Sequence, residues 1–414
     1  MQSMSTFFML AKRGKLLVMQ GGGPTPVLNA SLFGVLDEAN RSAQFGGLLG
    51  AQFGMDGLVR HDWIDLSSIS SADLQRIRMT PGATLGSTRY KPTPDDFQQI
   101  IERLRRDDIR SLLLIGGNGS LRGGHAIAQA ARGLGHDLSV IGIPKTIDND
   151  IPITDRCPGY GSAARYLAQS VRDLGMDVSA LPQPVSIFET MGRGVGWLAA
   201  ASVLARFGEN SAPHLVYLPE KPFELSRFLA LLDRVVKRLG YAIVVVSEGI
   251  QTADGKPVFE VGDATQRDAL NRALPGGVGS YLADVVTREL RIRCRCEKPG
   301  LCGRASMLHV SAQDLADAEL VGRMGVRGIV QGIRDQAVSL LPLRDAGANE
   351  NGCEFVPLSS MAGERKLPPA WITDEEAGVS EAFIQYARPI VGDLLPYARP
   401  LATIASSDLK RGNP

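Results

Sequence analysis

The stretch Leu112-Leu113-Leu114-Ile115-Gly116-Gly117-Asn118-Gly119-Ser120 joins an unbroken aliphatic run to a turn made of three glycines, an amide and a hydroxyl. Successive apolar residues bounded by glycine read as a strand buried on both faces, the kind found inside a parallel sheet. A phosphate can approach the turn that follows, because glycine places no Cβ between the backbone and an anion. The arrangement recurs upstream, where Leu16-Leu17-Val18-Met19 precedes Gly21-Gly22-Gly23 and a helix-like stretch. That upstream turn is neither a Walker A loop, since no Gly-Lys-Ser/Thr follows, nor the G-x-G-x-x-G dinucleotide pattern.

Working outward, further strands are expected at 140–143, 185–188, 215–218 and 242–246, with helix-period segments such as 97–104 and 163–171 between them. This alternation predicts an α/β fold of two Rossmann-like lobes with mostly parallel sheets. Ligands in such sheets bind at the carboxyl ends of the strands, where helix N-termini attract anions, so the active site is expected in the cleft between the lobes. No low-complexity tether separates the lobes, so the chain is expected to cross between them. The expected division is 1–158 with 303–345 as one lobe, and 159–302 with 346–414 as the other. The Pro- and Gly-rich stretch 349–414 is expected to complete the fold.

The third turn carries the most chemistry. Pro144-Lys145-Thr146-Ile147-Asp148-Asn149-Asp150 follows the strand at 140–143 and gathers two acids, an amide, a hydroxyl and a lysine. Phosphoryl transfer needs such a set: a carboxylate to take the proton of the attacking hydroxyl, a second to hold Mg²⁺, and a cation to neutralise the transferred group.

Charge and composition narrow the partners. Lys and Arg total 45 against 44 Asp and Glu, so a net charge of +1 predicts neither a nucleic-acid nor an anionic-membrane surface, and an anionic ligand must be caught locally. The apolar stretch 7–11 is shorter than a spanning helix or a signal-peptide core, which predicts a cytoplasmic protein. Cys294, Cys296 and Cys302 crowd together, but Cys294 and Cys296 alternate with Arg293 and Arg295 as the two faces of a strand would. They are expected to be reduced core thiols, not metal ligands.

The three turns in this order, followed by Glu189-Thr190-Met191-Gly192-Arg193 and Ser247-Glu248-Gly249, resemble the phosphofructokinase family. The resemblance runs from about 21 to about 331, and Leu367-Pro368-Pro369-Ala370-Trp371-Ile372 is similar to the longer, pyrophosphate-type branch. It implies a glycolytic kinase that phosphorylates the 1-hydroxyl of fructose 6-phosphate or a related sugar phosphate, uses Mg²⁺ and forms a homodimer or homotetramer. It makes Asp148 the general base, assisted by Lys145, Thr146 and Arg89, with Asn118 and Asp150 toward the metal. Gly22, Gly23, Gly117, Asn118, Gly119, Ser120 and Arg89 then face the donor phosphates. Thr146, Asp148, Met191, Gly192, Arg193 and Glu248 line the sugar site, and Arg295 and Arg304 grip the acceptor's distal phosphate, as guanidinium forks do well.

Several positions depart from the family pattern. Asn118 stands where most active members have a metal-binding aspartate, Leu301 where compact members have a histidine, and Pro184 where they have an arginine. On the donor, the resemblance makes Gly119 the small residue of ATP users, whereas Lys145 is common among pyrophosphate users but also occurs in some longer-chain ATP users. Steric exclusion by a missing side chain weighs more, so ATP is the expected donor, with pyrophosphate as the alternative. A sugar-phosphate-binding paralogue without turnover is the alternative of another class, motivated by Asn118.

Overall fold

In the computed structural model the described residues are 14–181, 184–259, 277–343, 352–361, 363–374 and 378–398. The stretch 7–11 and parts of 349–414 therefore lie outside them. The strands, in chain order, are β1 (Lys15–Gln20), β2 (Leu48–Ala51), β3 (Trp63–Asp65), β4 (Ile109–Gly116), β5 (Ser139–Pro144), β6 (Val185–Thr190), β7 (Leu215–Tyr217), β8 (Ala242–Ser247), β9 (Cys294–Glu297), β10 (Gln336–Leu340) and β11 (Cys353–Pro357). They form two sheets, one of order β11-β10-β5-β4-β1-β2-β3 and one of order β7-β8-β6-β9.

The fold is α/β with mostly parallel sheets, as expected. The aliphatic runs of β1, β4 and β5 pair in parallel at the middle of the larger sheet, and β6 and β8 do so in the smaller one. Nearly every residue of these strands is buried, because helices cover both faces. Antiparallel strands occur only at the rims, β3 on β2 and β11 on β10. β11 moves one expected boundary: the chain after 346 was assigned wholly to the second lobe, but Cys353–Pro357 is a strand of the first sheet.

Two helices set the relation of the lobes. The helix Ala312–Val330 follows the second sheet in sequence but lies against Leu28–Ser42 on the first. A side chain at Gly34 would run into the Glu319 carbonyl, and one at Gly322 into the Ser31 carbonyl, so both glycines are required by the closeness of the helices. The helix Tyr160–Ser179 packs its Tyr160, Ala163, Leu167 and Val171 in one core with Phe188, Ile243 and Val245 of the second sheet. Its N-terminus is capped from the other lobe: Asp314 accepts the N–H groups of Gly159 at 2.8 Å and Ser162 at 2.9 Å.

No helix among the described residues is long and apolar enough to cross a membrane. Cys294 and Cys296 do alternate with exposed Arg295 and Glu297 along β9, but they are half-buried. Cys157 and Cys353 are buried, while Cys302 is exposed on a short 3₁₀ turn, so only two of the five thiols are core groups. Among the described residues no cluster of three or more His, Cys, Asp or Glu side chains is arranged to hold a metal ion.

Candidate active site

The three turns lie at the carboxyl ends of neighbouring strands. β1, β4 and β5 are adjacent in the sheet, so the residues that follow them must converge at one edge. Lys145 ties the turns together. Its N–H donates to Gly116 O at 3.0 Å, and its Nζ reaches back under the first turn to donate to Gly23 O at 2.6 Å. The side chain is only 2% exposed.

The loop that carries Arg89 is strapped to the first turn by two fully buried amides. Gln20 Nε2 donates to Asn29 Oδ1, Asn29 Nδ2 to Thr80 O, the Leu85 N–H to Gln20 Oε1, and the Thr84 N–H to Asn29 Oδ1. Ser87 Oγ then donates to Gly22 O at 2.6 Å.

From the second lobe, the Met191-Gly192-Arg193 turn after β6 meets the Ser247-Glu248-Gly249 turn after β8. Ser247 Oγ donates to Gly192 O at 2.5 Å, the Gly192 N–H to Glu248 Oε1 at 3.3 Å, and the Glu248 N–H to Thr190 O at 2.9 Å. Gly249 has no room for a side chain against the Arg193 carbonyl.

The electrostatics follow from this crowding. Burial pushes the Asp148 carboxyl up to about 7, Asp150, Glu248 and Glu364 add to the rise, and Lys145 opposes it. Burial brings the Lys145 ammonium down to about 8, with Asp148 working against that and Arg304 for it. Burial likewise raises Asp150 and Glu248 above the ordinary carboxylate range, and Thr146 and Arg365 restrain Asp150. A carboxyl and an ammonium that both titrate near neutrality in one cleft suit proton transfer and anion binding.

Asn118 and Asp150 lie together, as the metal assignment requires. Asn118 Nδ2 donates to Asp150 Oδ2 at 2.8 Å, while the buried Asn118 Oδ1 has no hydrogen-bond partner. An orphaned amide oxygen beside a carboxylate is a hard-donor pair, and Mg²⁺ takes few protein ligands when phosphate oxygens and waters supply the rest. The pair therefore fits the ion. Asn118→Asp is expected to lower the Mg²⁺ concentration that half-saturates turnover several-fold, measured by titrating the metal at fixed substrate; an unchanged value would remove Asn118 from the metal's surroundings.

Not every expected residue joins the site in the expected way. Arg304 lies against Gly23, and burial beside Arg89 lowers its pKa, so within one chain it faces the first glycine turn. Arg295 is on the exposed face of edge strand β9, level with Ser186 at the start of β6, away from the turn that ends that strand. Sequence reasoning also missed Glu364, Arg365 and Tyr386, which come from beyond 360 and border the acidic turn; no local pattern marks them.

Two glycine turns, an acid–amide–acid turn and a buried lysine brought together at the ends of parallel strands suit phosphoryl transfer. The phosphofructokinase family model matches residues 15–327, and the chain belongs to that family, whose members act on a sugar hydroxyl. It is 38% identical over 394 residues to a pyrophosphate–fructose 6-phosphate 1-phosphotransferase of Xanthomonas campestris, covering 93% of each chain. It is 34% identical to a sulfofructose kinase of Alkalicoccus urumqiensis, covering 88% of this chain and 93% of that one. The crystal structure of a pyrophosphate-dependent phosphofructokinase from Marinobacter aquaeolei superposes with a TM-score of 0.81 at 31% identity, covering 93% of this chain and 94% of the other.

Proposed function

We propose that this chain transfers a phosphoryl group from pyrophosphate to the 1-hydroxyl of fructose 6-phosphate, yielding fructose 1,6-bisphosphate and phosphate in the cytoplasm. The observation that carries this reading is the buried Lys145 ammonium bonded to Gly23 O beneath the first turn. Pyrophosphate offers no adenosine to bind, so a fixed charge must supply what the nucleotide's remaining contacts would. Relatives matched along nine-tenths of the chain carry the pyrophosphate activity, which favours this donor over ATP, the donor weighed first from Gly119.

In this reading the first lobe, with Gly22, Gly23, Gly117, Asn118, Gly119, Ser120 and Arg89, receives the donor. The second lobe, with Met191, Gly192, Arg193 and Glu248, receives the sugar. Asp148 takes the proton of the 1-hydroxyl as its oxygen attacks, and Lys145 and Arg304 meet the charge that spreads over the transferred group. Mg²⁺, when bound by Asp150 and Asn118 Oδ1, would neutralise charge on the leaving phosphate. The acting species is a homodimer or homotetramer.

One observation favours ATP: a Cβ built on Gly119 meets nothing within 4 Å, so no side chain closes the space beside the second turn. A matched assay with Mg²⁺ and fructose 6-phosphate, supplied with pyrophosphate or ATP, decides between the donors. Faster turnover with pyrophosphate is expected, and turnover with ATP alone would overturn the donor assignment. Silence with both donors would return the chain to a non-catalytic sugar-phosphate-binding paralogue. Gly119→Asp, which fills the open space with a carboxylate, should abolish any ATP use while sparing pyrophosphate; equal losses would detach Gly119 from donor choice.

A further inference from the structure

Asn149, between the two acids, is fully buried and holds a left-handed backbone with φ at 55°. Outside glycine, asparagine is among the residues that adopt that conformation most readily, and here its surroundings hold it. The surroundings come from two directions. Asn149 Oδ1 accepts the Cys157 N–H at 2.9 Å, within the same lobe. The other restraints come from beyond 360. Asn149 Nδ2 donates to Tyr386 Oη at 2.8 Å, and Asn149 O accepts Arg365 Nε at 3.2 Å and Nη2 at 2.9 Å.

Arg365 grips the turn at several further points. Its backbone N–H donates to Asp150 O at 2.6 Å, and its Nη1 donates to Thr154 O at 2.6 Å and Asp155 O at 2.7 Å. No carboxylate among the described residues forms an ion pair with it. Its charge is met by carbonyl oxygens and by the face of Trp197, whose ring centre is 4.5 Å away and whose Nε1 donates to Arg365 O at 3.0 Å. Tyr386 Oη donates in turn to Asp155 O at 2.7 Å, and its ring lies 5.0 Å from Trp371 and 5.6 Å from Trp197. A guanidinium that spends its donors on the main chain of one turn is arranged to fix backbone geometry.

We propose that Arg365 and Tyr386, which lie outside the stretch matched by the family model, are positioning residues that set Asp148 and Asp150 in their working orientation. The inference rests on Asp148 acting as the base. The C-terminal segment is therefore a working part of the acidic turn. Neither residue touches substrate; each acts through Asn149. Loss of either should slow the transfer step and leave binding of both substrates nearly as it was, because the turn's mean position survives while its alignment loosens.

Two variants test this in the full-length enzyme, with Asp148→Asn run alongside. Tyr386→Phe keeps the ring packing and removes only the hydroxyl; Arg365→Lys keeps the charge but cannot span three carbonyls. For both, kcat is expected to fall about 10-fold or more, with KM for fructose 6-phosphate and pyrophosphate within about 2-fold, as misalignment without lost contacts implies. Arg365→Met should lose more than Arg365→Lys, so the conservative change rescues part of the rate. Amide hydrogen exchange in the 145–158 stretch should quicken in both variants while exchange in β6 and β8 stays unchanged. A rise in KM at constant kcat, or quicker exchange throughout the second lobe, would overturn the proposal and leave the pair a general packing element. The exchange result is readable in any folded variant, and Tyr386→Phe carries the test if Arg365→Lys does not fold. An Asp148→Asn enzyme that still turns over would instead sink the assignment of the base.

Discussion

Asp148→Asn should cost about 10²- to 10⁴-fold in kcat, the range that positioned proton transfer supplies, with the fold intact and KM values little changed. The amide keeps the shape of the side chain and cannot accept the hydroxyl proton. The same residue sets the pH dependence. Asp148 must be ionised to act, and its pKa is raised to about 7, so sugar phosphorylation should fall away as the pH drops through about 7. A flat profile between pH 6 and 8, with chemistry rate-limiting, would remove Asp148 from the base role.

Stability has the opposite sign. A carboxyl whose folded pKa lies above its unfolded value costs nothing below the unfolded pKa, where both states are protonated, and weakens the fold as pH rises through the folded pKa. Asp148→Asn should therefore raise Tm more at pH 8 than at pH 5. An equal shift at both would mean that the carboxyl is not perturbed as described.

Lys145→Met should cost roughly 10²- to 10³-fold with pyrophosphate, the scale for removing one preorganised charge or donor from developing negative charge. Methionine keeps most of the stem's volume in a site that is 2% exposed. The loss should fall on KM for pyrophosphate and on kcat, and less on KM for fructose 6-phosphate. Because the ammonium lowers the Asp148 pKa, the acid limb of the pH profile should also move to higher pH in the variant. An equal proportional loss with ATP and pyrophosphate would assign Lys145 to the shared transfer step and leave the donor to be chosen elsewhere.

The central strands and the three turns were legible because their signals are local. The long aliphatic runs of β1, β4, β5, β6 and β8 show their burial and a turn that must admit a phosphate advertises its glycines, whereas the short β2 and β10, interrupted by Gly50 and Ser339, went unread. The three-residue rim strand β3 gave no such signal, having too few residues to show a period. β11 was missed for another reason: it pairs antiparallel with β10, and nothing local says which sheet it joins. That Arg304 lies against Gly23 is decided by tertiary packing, and nothing near it in the sequence says so. Arg365 and Tyr386 were illegible in principle. Their work is to satisfy backbone carbonyls some 210 and 230 residues back in the chain, and a carbonyl has no letter in the sequence.

The capping of Tyr160–Ser179 by Asp314 has a mechanical meaning. Ser311, the N-cap of the helix Ala312–Val330 that carries Asp314, also donates its hydroxyl to Ile390 O, so three chain segments are pinned within one helical turn. Separating them there would strand buried donors and a buried carboxylate together, so the two halves have a fixed axle at that point.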